Sequence, residues 1–391
     1  MIWTLVHTVD ILLWLLTVGS VLYVAFFAIA SLIRKKEPVI STTNTSTPEL
    51  HRFLVLVPAY HEDSVIFDTV EALLQQDYPI DHYQVAVISD HMLPVTNERL
   101  ASLSITLLQP QFEKSSKAKA LQYAIQQMPT DFDHVVILDA DNIVTLTFLS
   151  QLNGMCLQGY HAIQCHRTAK NNNNEIAVLD GISEEINNAL FRRAHNNIGL
   201  SSALIGSGMC FSYDWFQQNV NSLCTVVEDR ELEARLMQQG IYIKYEESIY
   251  VMDEKVSNSD NFQRQRLRWM TGQIQALFSM LPNLPAAIRK GNINYIDKTV
   301  QQMLIPRSIL IIFTVFMSLL MTLVSWPWSI KWWCMLTVLG FSILIAIPSQ
   351  LRTRAIFGNI ITLPSLTWRM IRNLRHIDKS NKDFLHTTHG K

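Results

Sequence analysis

Cysteine is scarce in this chain of 391 residues, with five in all. Cys156, Cys165, Cys210, Cys224 and Cys334 form no C-x-x-C pair and, along the sequence, no cluster with histidines. That spacing argues against a disulfide framework and a zinc motif, and it suits a reducing compartment. Charge of one sign is also lacking. The formal net charge is -1, so no global positive field points to nucleic acid as a partner. Basic residues are missing ahead of the first long apolar run, which is also longer than a usual signal core. Both features set it apart from a cleaved secretory signal.

Hydrophobic sequence is what the chain has in plenty, 49% of it, and it gathers in runs. Ile11 to Ile33 is 23 residues without a charge, enough to cross a hydrocarbon core of roughly 30 Å as a helix. It ends in Arg34-Lys35-Lys36. A second uncharged run, Ser308 to Ile330, follows Arg307, and a third, Trp332 to Leu351, leads into Arg352 and Arg354. Pro348 predicts a kink near the end of the third. Basic residues collect on the cytoplasmic side of spans. Three crossings therefore put the N-terminus outside, residues 34–307 inside, a short Trp-rich link from Trp326 to Lys331 outside and the tail inside. This is the layout of a multi-pass protein of the cell's inner (plasma) membrane with its polar domain in the cytoplasm.

The expected organisation is an anchor (1–36), a Ser/Thr/Pro linker (37–50), an α/β domain (51–272), interfacial helices (273–303), two transmembrane helices (304–351) and a cytosolic tail (352–391). The stretches 274–289 and 355–376 mix aliphatic and basic residues, as helices lying on a membrane surface do. Within the α/β domain, strands at Phe53–Val57, Val85–Ser89 and Val135–Leu138 alternate with helices at 68–76 and Lys117–Gln127. Such alternation predicts a parallel sheet with helices on its faces, and ligands of such sheets bind beyond the carboxyl ends of the strands.

Three strand ends each deliver an acid to that edge. Phe53–Val57 runs into Tyr60, His61 and Glu62, Val85–Ser89 into Asp90, and Val135–Leu138 into Asp139 and Asp141. Carboxylates at i and i+2 of extended chain point to one side and can share a divalent cation; oxygen ligands suit Mg2+ or Mn2+, which bind substrate phosphates as well. An Asx-turn or helix cap is the alternative use of such acids. Farther on, Thr225 and Glu228 are spaced as a capping box, which would open a helix with Asp229 in its first turn, where the helix dipole favours a carboxylate. Gln265, Arg268 and Trp269 fall at i, i+3 and i+4 and share one helix face. Arg can fork onto phosphate oxygens, and an indole offers a flat surface to a sugar ring. The same helix also reads as an interfacial one, with Arg264, Arg266 and Arg268 against lipid headgroups. Gly206 and Gly208 suit a close backbone approach or a simple turn.

Taken in order, VPAYHE (57–62), Asp90, KAKALQYA (117–124), DAD (139–141), GSGM (206–209), VEDRELEARL (227–236) and QRLRW (265–269) resemble the family 2 glycosyltransferases of the GT-A fold. In particular they resemble the membrane-embedded branch related to cellulose, hyaluronan and poly-N-acetylglucosamine synthases. The resemblance implies a Rossmann-like cytosolic GT-A domain between transmembrane helices, with Asp229 as general base. One base and no protein nucleophile implies single displacement with inversion. It further implies that Tyr60, Glu62 and Asp90 contact the nucleoside, that Lys117 lies near the nucleotide, that Asp139 meets the donor and shares the metal with Asp141, that Gln265 and Arg268 meet the diphosphate, and that Trp269 meets the acceptor. His61 and the run Ser89-Asp90-His91-Met92 depart from the family pattern in the nucleoside pocket. FLHTTHG at 384–390 is similar to a gating loop of cellulose synthases, which implies Thr387 and His389 on the diphosphate.

The function so implied is transfer from a nucleotide sugar, UDP-glucose or UDP-N-acetylglucosamine, to a growing cell-envelope or extracellular polysaccharide. The partners would be the donor, a glycan or lipid-linked acceptor, membrane lipids and partner subunits or further copies of the chain. Transfer of one sugar to a lipid-linked acceptor and a catalytically silent membrane scaffold are the competing readings.

Overall fold

The computed structural model describes residues 2–33, 49–171, 174–225, 227–256 and 259–352. Thr387, His389 and the tail stretch 355–376 lie outside the described residues, as does most of the linker.

Eight strands form one sheet: β1 (Phe53–Tyr60), β2 (Tyr83–Asp90), β3 (Thr106–Leu108), β4 (His134–Ile137), β5 (Ile143–Val144), β6 (Ala162–Ala169), β7 (Met209–Ser212) and β8 (Ile243–Asp253), in the order β3-β2-β1-β4-β7-β6-β8-β5. The first four positions are parallel, as the alternation predicts. The sheet as a whole is mixed. β7 runs antiparallel to both β4 and β6, and β5 antiparallel to β8. β7 has only four residues, too few to show a period in the sequence. It follows a glycine pair whose φ angles of 82° (Gly206) and 64° (Gly208) let the chain reverse. A Cβ on Gly208 would stand 3.0 Å from Val251 Cγ2 and 3.3 Å from Cys165 Cβ, so both the left-handed φ and the close packing favour glycine where the chain enters β7.

Helices cover both sides of the sheet. In chain order they are α1 (Ile2–Ala30), α2 (Ile66–Leu74), α3 (Pro94–Ala101), α4 (Lys117–Gln127), α5 (Phe148–Cys156), α6 (Glu175–Asn187), α7 (Ala194–Asn197), α8 (Tyr213–Val220), α9 (Glu228–Gln238), α10 (Ser259–Met280), α11 (Leu284–Lys290), α12 (Ile293–Met303), α13 (Arg307–Val324) and α14 (Trp326–Ala346). Side chains of a strand alternate between faces. Leu54 and Leu56 pack with α4, α8 and α9, while Phe53, Val55 and Val57 pack with α2 and α5. A strand buried on both faces reads as an unbroken aliphatic run, which explains why FLVLV is legible.

α1, α13 and α14 are long and apolar enough to cross a membrane. They pack together and onto α6 and the π-helical turn that follows it, with Val24, Phe27, Ile186, Leu190, Met317 and Trp332 in one core. The expected link from Trp326 to Lys331 is instead the start of α14. The connection is Ser325 alone, because Pro327 sits in the first turn, where its missing N–H costs nothing. Asp10 of α1 is buried between the helices, accepting hydrogen bonds from Lys331 Nζ and from Trp332 Nε1 at 2.7 Å. Replacing Asp10 by alanine strands a half-buried ammonium, and we expect a loss of about 2–4 kcal/mol, read as a lower Tm in detergent that Asp10→Asn partly restores.

Candidate functional site

The parallel register sets the edge at which these residues meet. Tyr60 at the end of β1 lies beside Asp90 at the end of β2, and Leu56 beside Ile137 of β4, so the segment carrying Asp139 leaves the sheet next to them. A cavity of about 440 Å³ opens there. Tyr60, Glu62, Asp90, Lys117, Asp139, Asp141, Asp229, Gln265, Arg268 and Trp269 all line it. The structure thus gathers every candidate residue within its described part; Thr387 and His389 fall outside.

Both departures from the family pattern carry unusual backbone. His61 and His91 have φ of 54° and 56°, a left-handed conformation uncommon away from glycine. His91 Nδ1 is 2.6 Å from Asp90 Oδ1, and its ring lies 5.6 Å from that of Tyr60. Tight turns after β1 and β2 thereby hold Tyr60 and Asp90 together at the mouth.

Asp139 and Asp141 have a third partner. One carboxylate oxygen from each and one from Asp253, the last residue of β8, lie within 4.8 Å of one another. The Asx-type work at this turn falls to Asn142. Its Oδ1 accepts from the Asp139 amide at 3.0 Å, and its Nδ2 donates to Asp141 at 3.0 Å and Asp253 at 3.2 Å. The amide of Glu254 adds a bond to Asp141 at 3.2 Å. Three converging carboxylates, held from behind by one amide side chain, form a hard oxygen donor set that fits Mg2+ or Mn2+.

Buried cations stand behind the triad. Arg167 forks onto Glu184 at 3.2 and 3.1 Å, and lies 3.8 Å from Asp253 and 3.9 Å from Asp139. Lys255 Nζ donates to Glu184 at 2.5 Å and to Asp253 at 2.7 Å. Burial opposes the charge on Arg167, but Asp253 and Glu184 overcome it and hold the guanidinium more firmly protonated than usual. Burial likewise pushes Asp253 up, yet Arg167 and Lys255 bring its carboxyl below the ordinary range.

Asp229 stands in the first turn of α9, half-buried and facing the cavity, with Oδ1 accepting from the Arg230 amide at 2.8 Å. The expected capping box is absent. Val227 flanks the helix without a side-chain cap, and Glu231 instead takes the amides of Cys224 at 2.8 Å and Thr225 at 3.0 Å. Lys117 joins the two halves of the site. Its Nζ pairs with Asp139, donates to the Gly206 carbonyl at 2.5 Å and lies 3.5 Å from Glu228. Burial raises Glu228 to about 7 against the pull of Lys117, with Asp229 and Asp139 pushing the same way.

Gln265, Arg268 and Trp269 project from one face of α10 into the cavity, as their spacing predicts. Arg266 is not spent on lipid: it donates to Asp180 of α6 at 2.7 Å and lies 4.8 Å over the Trp269 ring, steadying the indole. The cavity continues past Gln273 to Val24 of α1 and to Arg307, the first residue of α13. At that end Arg307 donates to the Ser183 carbonyl at 3.0 Å, while its Nη1 and the Nε of buried Arg192 have no hydrogen-bond partner. Sequence reasoning missed Asp253, Arg167, Arg192 and Arg307. Only Asp253 left a signal, as an acid ending an alternating strand.

The sequence model of the family described as glycosyltransferase like family 2 matches residues 51–272. Among solved structures, the mannosyltransferase PcManGT from Pyrobaculum calidifontis, in complex with GDP-Man and Mn2+, aligns with a TM-score of 0.55 at 16% identity, covering 87% of this chain and 96% of its own. S. aureus TarS 1–349 aligns at 0.44 and 15% identity, over 83% and 89%. Glucosyl-3-phosphoglycerate synthase from Mycobacterium tuberculosis aligns at 0.42 and 17%, over 58% and 78%. No curated protein matches significantly.

Proposed function

Since the chain belongs to the family 2 glycosyltransferases and folds as their GT-A members do, we propose that its cavity transfers a sugar from a nucleotide sugar to an acceptor presented at the membrane. The observation that carries this reading is convergence: the carboxylates of Asp139, Asp141 and Asp253, the half-buried Asp229 and the Gln265–Arg268–Trp269 face line one cavity that reaches the membrane helices.

The roles follow from chemistry. Asp139, Asp141 and Asp253 would hold Mg2+ or Mn2+, which supplies charge neutralisation for a diphosphate leaving group. PcManGT is bound to Mn2+ together with GDP-Man, and the oxygen donor set here suits either ion. Gln265 and Arg268 bind the diphosphate, and Lys117 sets the nucleotide end against Asp139. Tyr60, Glu62 and Asp90 receive the nucleoside. Trp269 offers its face to the acceptor sugar, and Asp229 takes the proton from the attacking hydroxyl as the sugar–phosphate bond breaks. A single displacement of this kind inverts the anomeric carbon. UDP-glucose or UDP-N-acetylglucosamine is our choice of donor. The catalytic domain (51–272) faces the cytoplasm of an inner-membrane protein, anchored by 1–36 and 304–351, with residues 273–303 on the leaflet. Ile274, Phe278 and Ile288 are exposed there, as an interfacial surface requires.

We assign the product to a growing cell-envelope or extracellular glycan. One observation favours the second reading, transfer of a single sugar to a lipid-linked acceptor. The membrane end of the cavity presents guanidinium N–H groups of Arg192 and Arg307 without partners, and these suit an anionic head group. Radiolabelled product size separates the two: high-mass product supports the glycan, and short products extractable into organic solvent support the lipid acceptor. A silent scaffold is disfavoured, because the acids that bind and catalyse are all in place.

A further inference from the structure

At the opposite edge of the sheet, roughly 20 Å from the cavity along β1 at ~3.3 Å per residue, three residues far apart in sequence meet. His51 precedes β1, His134 opens β4 and Cys156 ends α5. Along the sequence no cysteine clusters with histidines; in the fold Cys156 does. A ring nitrogen from each histidine and Cys156 Sγ lie within 4.8 Å of one another, and the two rings are 4.9 Å apart.

The cluster is built from packed and anchored parts. His134 and Cys156 are buried, at 7% and 5% exposure, and the His134 ring stacks on Phe53 at 5.6 Å. The main chain of His51 is fixed on both sides, its amide donating to Asn153 Oδ1 at 3.1 Å and its carbonyl accepting from Tyr78 Oη at 2.7 Å. Cys156 meets the His134 side chain and, behind it, the buried thiol of Cys210, while Nδ1 of His51 and Nδ1 of His134 are both buried with no hydrogen-bond partner. Buried polar atoms are nearly always satisfied, and an unpartnered one calls for an explanation. Two such nitrogens beside a thiol share one explanation.

We propose that His51, His134 and Cys156 form a second metal site, separate from the carboxylate triad, for a borderline or soft ion such as zinc. Two imidazoles and a thiolate are the donor set of zinc or copper, whereas the Asp139 triad is one for magnesium or manganese. On binding, the thiol proton leaves to solvent past half-exposed His51, a sulfur–metal bond forms, and each imidazole gives its lone pair. A fourth position remains for water. The ion ties the segment entering β1 to β4 and α5, clamping the sheet at the point where the chain arrives from the anchor.

Cobalt is the probe, because it reports sulfur ligation directly. The full-length protein in detergent, reduced and titrated with Co2+, should develop a near-ultraviolet thiolate-to-cobalt charge-transfer band that saturates at one ion and is bleached by zinc. Cys156→Ser should abolish the band, and His51→Gln should weaken the ion's affinity about tenfold or more. The Cys224→Ser/Cys334→Ser double variant and Asp141→Asn should keep it. Zinc should also raise the Tm of the wild type and leave that of Cys156→Ser unchanged. No band in the wild type, or a band that persists in Cys156→Ser, overturns the proposal. The reading of the cavity would stand either way, since its metal makes no sulfur contact.

Discussion

Asp229→Asn should lower turnover by about 10²–10⁴-fold, the usual contribution of a positioned general base, while the affinity for the donor stays within a few-fold. Asparagine keeps the size of the side chain and the oxygen that accepts the Arg230 amide at 2.8 Å, so α9 keeps its first turn. It cannot take a proton. The neighbouring Glu228 is a poor substitute: it is buried and engaged with Lys117 at 3.5 Å. Initial rates with donor varied at saturating acceptor test this. A fall in apparent affinity with unchanged turnover would move Asp229 from base to binding residue. Unchanged values for both would place the base elsewhere, and Glu228→Gln would then be the variant to assay.

The largest stability effect is expected at Glu184. Its carboxylate is 4% exposed and is shared by Arg167 and Lys255. Glu184→Gln leaves two buried cations with less than their full counter-charge, which costs about 3–5 kcal/mol when one partner of such a set is removed. The pH dependence has a definite sign. Burial pushes the Glu184 carboxyl up, but Arg167, Lys255 and Arg192 outweigh it and hold it well below its ordinary 4.5. A carboxylate depressed in the folded state stabilises the protein above its unfolded pKa, and that contribution disappears as the pH falls through the folded value. The wild type should therefore lose Tm steeply as pH drops below about 4.5. Glu184→Gln should start lower and show a flatter acid limb, since the most deeply buried counter-charge of Arg167 and Lys255 no longer titrates. Parallel acid limbs would mean that the network contributes little. Because Arg167 also lies 3.9 Å from Asp139, the variant should weaken metal-dependent activity as well.

What is legible in the sequence is local or repetitive. The start of α4 can be read because Ser116 caps it, accepting from the Lys119 amide at 3.2 Å. β1, β2 and β4 can be read because strands buried on both faces leave continuous aliphatic runs. The acids beyond them follow from the rule that ligands sit at the carboxyl ends of parallel strands. What is hidden depends on pairings between distant segments. Asp253 reaches the triad because β8 runs beside β6, Asp253 opposite Ala169. Arg167 meets Glu184 only because α6 packs on β6. The start of α9 misleads for a different reason. Thr225 and Glu228 have the spacing of a capping box, but Glu231 lies closer to the amides that need an acceptor. The turn before α14 is easily misplaced because tryptophans suit both an interfacial link and a helix that begins in the interface.

Whether this cavity breaks the bond between a sugar and a nucleoside diphosphate, with Asp139 and Asp141 holding a divalent ion and Asp229 serving as base, can be measured directly as nucleotide release. The detergent-solubilised full-length protein would be offered a panel of nucleotide sugars with membranes, lipid acceptors and Mn2+ or Mg2+. We expect release from one donor, abolished by chelator and by Asp141→Asn, and reduced to near background by Asp229→Asn. Release that is indifferent to chelator and to both variants, or no release from any donor, would contradict these roles.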